Sequence, residues 1–198
     1  MRHTDAREIV DGLGFTPAES LFIRGVACHE TNYGAGWAKK GIGVNSHNWG
    51  AITRGGSPQP LDFRHDDSKF DHALNKQVTY TTWFRGYPGD FDGAKDLGKV
   101  LLKANVKAAL AAGDLYGAVR AQGDNRYYLG IHKAFDDNVN DYYNAVSKCI
   151  AKILDETGEH DPFGGTPASG GEGSGVGKLF ALAAAAALAV AAWKAWKA

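Results

Sequence analysis

The stretch Thr16-Pro17-Ala18-Glu19-Ser20-Leu21-Phe22-Ile23-Arg24-Gly25-Val26-Ala27-Cys28-His29-Glu30-Thr31-Asn32-Tyr33-Gly34 decides how the chain is read. Thr16, Pro17 and Glu19 supply an N-cap, a first helical position and a capping-box partner, so a helix opens here. Leu21, Phe22, Val26 and Ala27 form its apolar stripe, and it is expected to run to about Thr31. Glu30 stands four residues after Val26 and three after Ala27, which continues the stripe. A carboxylate placed there loses hydration, and its pKa rises because the charged form is disfavoured. An acid still protonated near neutral pH can pass its proton to a leaving glycosidic oxygen. The competing reading is a solvated glutamate in a fraying last turn.

Outward from that helix, a capped segment at Thr4 or Asp5 predicts a short helix to about Leu13. Residues 48–52, 61–64 and 77–84 look extended, the last enriched in Thr, Val, Tyr and Trp. Helical spacing returns over 94–104 and 114–121. A long final helix carries Val139, Tyr142, Tyr143, Val146, Ile150 and Ile153 on one stripe, with its tyrosines read as core. The expectation is an α+β domain over 1–156, mainly helical, with a small antiparallel hairpin lobe.

Composition bounds the partners. Among 198 residues, 22 Lys+Arg balance 22 Asp+Glu, which argues against a nucleic-acid binder. Apolar residues at 44% suffice to fill a core. His29-Glu30 begins like a zinc-peptidase motif, but Tyr33 stands where the second histidine belongs, so no metal or other cofactor is expected. Cys28 and His29, consecutive on a helix, point about 100° apart and cannot act as a nucleophile–base pair. Cys28 reads as core packing, and a disulfide to Cys149 stays open.

Glycine turns and aromatic residues follow Glu30, at Asn32-Tyr33-Gly34 and Gly36-Trp37, and then Asn48-Trp49-Gly50-Ala51-Ile52 leads back to it. These motifs resemble the glucosaminidase family of bacterial peptidoglycan hydrolases, whose fold is lysozyme-like. The family's helix ends in Glu-Ser-Gly-Trp-Gly, seen here as Glu30-Thr31-Asn32-Tyr33-Gly34. Its Asn-Leu-Phe-Gly-Ile is similar to residues 48–52 with one residue shifted or lost. Its Phe-Arg-x-Tyr looks like Phe84-Arg85-Gly86-Tyr87, and its Ala-Thr-Asp-Pro-x-Tyr like Gly123-Asp124-Asn125-Arg126-Tyr127 without the proline. The resemblance spans about residues 15–154.

That resemblance implies Glu30 as the general acid and Tyr127 as the tyrosine facing it. A second carboxylate, about a dozen residues before Phe84, would be Asp71, with Asp62, Asp66 and Asp67 as rivals. Tyr33, Asn48, Trp49, Gln122 and Asp124 are the expected substrate-binding residues, aromatic faces stacking on sugars and amides bonding N-acetyl groups. The expected partner is the peptidoglycan glycan strand, cut between N-acetylated amino sugars. A lytic transglycosylase using the same acid, or a non-catalytic wall-binding or virion module, are the alternatives.

Beyond the domain, 157–178 is glycine-rich and reads as a flexible linker. From Leu179 to Trp193 there is no charge, and Trp196 lies just beyond. The segment 179–198 is expected to be a hydrophobic C-terminal helix, inserted in a membrane or packed on an assembly partner. No signal peptide is expected. An anchor without an export signal suggests membrane association within a phage virion or injection particle that carries the enzyme to the wall.

Overall fold

The computed structural model describes residues 1–39, 46–128 and 130–164. Seven helices are assigned among them: α1 (His3–Asp11), α2 (Pro17–Thr31), α3 (Ala35–Lys39), α4 (Asp90–Leu101), α5 (Ala104–Ala111), α6 (Leu115–Asp124) and α7 (Phe135–Thr157). Between α3 and α4 lies a hairpin of β1 (Phe63–Asp71) and β2 (Lys76–Phe84), the antiparallel two-stranded sheet of an α+β fold.

Helix α2 is the central element. The Thr16 hydroxyl accepts from Glu19 N at 3.3 Å while Glu19 Oε2 accepts from Thr16 N at 3.0 Å, the reciprocal cap expected from the sequence. Every residue from Leu21 to Ala27 is buried, so the middle of α2 is enclosed by its neighbours and the helix is wetted only near its two ends. It packs on α7 at Gly25, where a Cβ would come within 2.6 Å of Ile150 Cγ1. A side chain there would force the two helices apart. The helix ends on Asn32 in the left-handed conformation (φ 49°), followed by Tyr33 (φ 57°) and Gly34 (φ 83°).

Arg24, 1% exposed, lies within α2. Its guanidinium donates to both carboxylate oxygens of Glu159 at 2.7 and 2.6 Å. Glu159 and Phe163, which packs against the core, both fall in the segment expected to be a free linker. That expectation is corrected as far as Gly164, because a buried guanidinium requires the acid that follows α7. The rest of the linker and the segment from Leu179 to Trp196 lie outside the described residues. Among the described residues, no helix is long and apolar enough to cross a membrane.

The hairpin pairs from Phe63↔Phe84 to Asp71↔Lys76. Its base is fixed by an aromatic cluster, with the rings of Phe63 and Phe84 each 5.0 Å from Trp37. Farther out, Phe70 N donates to Gly130 O at 3.1 Å, tying β1 to the loop after α6. The hairpin thereby arches from its aromatic base to the helical lobe. Residues 48–52, expected to be extended, instead form a turn held by Asn48, whose Oδ1 accepts from Ile52 N and whose Nδ2 donates to Ile52 O, both at 2.9 Å. The helix expected over 94–104 ends at Leu101, where the chain breaks at Leu102 (φ −84°, ψ 59°), and a separate helix, α5, fills the stretch before the one expected over 114–121.

Candidate active site

Under the arch lies a cavity of about 620 Å³, lined by Glu30 and His29 from α2, Asp67 and Tyr80 from the hairpin, Tyr127 from the loop after α6, and Tyr142 from α7. The Tyr142 hydroxyl donates to Glu30 Oε1 at 2.5 Å. Tyr142 is itself fixed by stacking on Tyr128 at 4.2 Å and by an edge contact with His29 at 5.1 Å. Burial pushes the Glu30 carboxyl up to about 7, against the hydrogen bond from Tyr142, which favours the charged form. The negative charge of Asp67 adds to the rise. Glu30 therefore carries a proton through part of the neutral range, and its Oε2 is the oxygen not engaged by Tyr142.

The Tyr127 hydroxyl donates to Gly50 O at 2.7 Å, which holds its ring beside the acid. Gly50 is the residue this contact requires, since a Cβ there would fall 2.7 Å from the Tyr127 hydroxyl and 2.3 Å from Leu97 Cδ1. The next residue, Ala51, sits at φ 49° on the cavity wall, a conformation an alanine adopts only under constraint. Thr31 supplies that constraint: its hydroxyl donates to Trp49 O at 2.7 Å and accepts from Gly34 N at 2.8 Å, joining the end of α2 to the turn.

Of the four hairpin-side acids, Asp67 lines the cavity. It accepts the Tyr80 hydroxyl at 3.0 Å through Oδ2 and Ser68 N at 2.8 Å through Oδ1. Asp71 does not line it. It ends β1, and its Oδ1 accepts from Ala73 N and Leu74 N, both at 3.0 Å, in the hairpin's own turn. Asp62 is held by Arg54 at 2.7 Å. Asp66 accepts from Thr81 Oγ1 at 2.7 Å on the exposed side. The expectation for Asp71 is therefore corrected: it shares a strand face with Asp67 but stands four residues farther along β1, beyond the cavity lining, where the turn takes up its carboxylate.

Three expected sugar contacts are corrected by burial. Trp49 is fully buried and its indole donates to Asp90 at 3.0 Å. Asn48 spends both its amide atoms on the 48–52 turn and on Arg85 O. Tyr33 is 3% exposed and its hydroxyl meets the His3 ring nitrogen at 2.6 Å. Gln122 is buried on α6, away from the cavity lining, and Asp124 is exposed at the end of that helix. The structure thus gathers Glu30 and Tyr127 and adds Tyr142 and Tyr80, which a periodicity reading assigns to core and strand. Among the described residues, no group of three or more His, Cys, Asp or Glu side chains is placed to hold a metal ion. Cys28 and Cys149 are free thiols.

No protein-family model matches the chain, and no curated protein matches it. Among solved structures, the chain is similar to a peptidoglycan hydrolase mutant from Sphingomonas sp. A1. The alignment has a TM-score of 0.53 and 16% identity, and covers 78% of this chain and 92% of that one. The fold is lysozyme-like. Glu30 stands near the end of α2 and lines the cavity together with hairpin residues.

Proposed function

We propose that the protein is a peptidoglycan glycan-strand hydrolase of the glucosaminidase type, with Glu30 as its general acid. The observation that carries this reading is a carboxyl whose pKa burial raises to about 7, in a cavity that a second carboxylate, Asp67 of the hairpin, also lines. The likeness to a peptidoglycan hydrolase in fold supports the substrate class. Glu30 gives its proton to the glycosidic oxygen between N-acetylated amino sugars as the bond from C1 breaks. Asp67 takes a proton from the incoming water or steadies the positive charge at C1. Tyr142 orients the acid, and Tyr127 and Tyr128 offer ring faces to the sugars.

Glu30→Gln tests the reading on purified cell walls. A fall in wall clearing of about 10³-fold, with wall binding retained, is expected. A wild-type protein that binds walls and releases nothing would replace the hydrolase with a wall-binding module. Mass spectrometry of the products separates the chemistries, since a reducing end marks hydrolysis and an anhydro end marks transglycosylation. Delivery by a phage-type particle, held through residues 179–196, belongs to the same proposal. Detection of the protein in purified particles supports it, and a protein found free in cell sap alone removes it.

A further inference from the structure

The chain is neutral overall, yet cations gather at one side of the cavity. Lys103, Arg126 and Arg85 line it together with the acids. Arg85 also lines a neighbouring hollow of about 370 Å³, whose wall continues to Arg54, Lys95 and Lys99. Lys95 and Lys99 are one helical turn apart on α4 and share a face. Lys103 follows the break at Leu102, with Nζ folded back onto Lys99 O at 3.3 Å.

Lys95, Lys99, Lys103 and Arg126 are exposed, and none makes an ion pair among the described residues. Lys107 nearby differs, being paired with Glu19 at 3.3 Å. Of the acids in the hollow, Asp96 is occupied by Arg85 at 2.6 Å and by the Tyr87 hydroxyl at 2.5 Å. Asp92 alone is left to oppose the lysines there. Arg126 is kept in left-handed backbone (φ 58°) at the cavity wall, a conformation favourable to glycine and unusual for arginine. A continuous row of unpaired cations thus leads away from the cavity that holds Glu30.

While the sugars' lactyl carboxyls are tied up as the amides that carry the peptides, the glycan itself offers little for such a row to bind. The short peptides that branch from the peptidoglycan strand offer more, through their free carboxylates. We propose that the row Arg126, Lys103, Lys99 and Lys95 is a binding track for those carboxylates, so that the preferred substrate is glycan still bearing its peptides. The proposal rests on the peptidoglycan reading above and names the part of that polymer read outside the cleavage site. Flexible ammonium groups suit it, because they follow carboxylates of variable position as point charges rather than demanding a planar fit.

The test uses the full chain carrying Glu30→Gln, pelleted at low salt with cell-wall sacculi that lack phosphate-bearing polymers. In one batch the peptide carboxylates are free, and in the other they are capped as neutral amides with a carbodiimide and ammonia. Capping is expected to weaken binding about tenfold, and Lys95→Glu with Lys99→Glu is expected to weaken binding to the intact batch by a similar factor. The same pair should cause no loss of binding to the capped batch, and salt should erase the difference. Equal binding to both batches, or an equal loss on both from the charge reversals, overturns the track while leaving the hydrolase reading standing. Binding to neither batch removes the wall reading and the track with it. Lys95→Gln with Lys99→Gln, expected to give a smaller loss on the intact batch alone, guards against an effect of misfolding.

Discussion

Because Tyr142 donates to Glu30 Oε1, it stabilises the carboxylate more than the neutral acid, and so opposes the burial that raises this group to about 7. Removing the hydroxyl leaves burial and the charge of Asp67 unopposed, and the pKa climbs further. As the proposed general acid Glu30 must be protonated, so activity is expected to fall as pH rises through its pKa. In Tyr142→Phe the alkaline limb of the pH–rate profile should therefore move to higher pH, while kcat drops because the acid loses its fixed orientation and KM changes little. A limb that stays in place would mean that Tyr142 merely fills space. The sequence made Glu30 legible because a lone acid on an apolar stripe is an anomaly. Tyr142 carried no such mark: its place in the 139, 142, 146 stripe is satisfied equally by a core ring, and the partner of its hydroxyl is 112 residues away in sequence.

At the scale of elements, the hairpin decides which acid faces Glu30. Strand β1 reads Phe-Arg-His-Asp-Asp-Ser-Lys-Phe-Asp, with no apolar alternation in its middle. Its order comes instead from pairing with β2 and from side-chain bonds such as Tyr80 to Asp67 and Thr81 to Asp66. A period-two hydrophobic pattern cannot reveal such a strand, so counting back from Phe84 reached the turn residue Asp71. By contrast β2, with Val78, Tyr80, Trp83 and Phe84, announced itself. The two acids are expected to behave differently. Asp67→Asn should lower turnover about 10²- to 10³-fold with the melting temperature nearly unchanged. Asp71→Asn should loosen the turn, costing about 1 kcal/mol through its two backbone N–H partners, and leave turnover near wild type. Parallel activity and denaturation measurements on both variants decide the matter, and the reverse pattern would return the role to Asp71.

For the whole molecule, composition placed the end of the domain too early. Gly158 caps α7 in left-handed backbone (φ 66°), and the chain then turns back to bring Glu159 onto Arg24 in the middle of α2. The helix that carries Glu30 thus contains a buried guanidinium whose counter-ion lies in the glycine-rich segment. Burial works to raise the Glu159 carboxyl, and the bonds from Arg24 and Thr157, with the charges of Arg24 and Arg7, outweigh it and bring the group below the ordinary glutamate value. A depressed carboxylate stabilises the fold above its unfolded pKa and loses that contribution as pH falls through the folded one. A chain ended after residue 156 should therefore be less stable at pH 7 than one ended after residue 164, by about 3 kcal/mol, since it leaves Arg24 charged and unpaired in the core. For a domain of this size that corresponds to roughly 10 °C in melting temperature. The gap should narrow as the pH is lowered and Glu159 takes up its proton. Equal melting temperatures at pH 7 would show that water reaches Arg24 and replaces the acid; a gap that survives acidification would assign the stabilisation to Phe163 and its packing on the core instead.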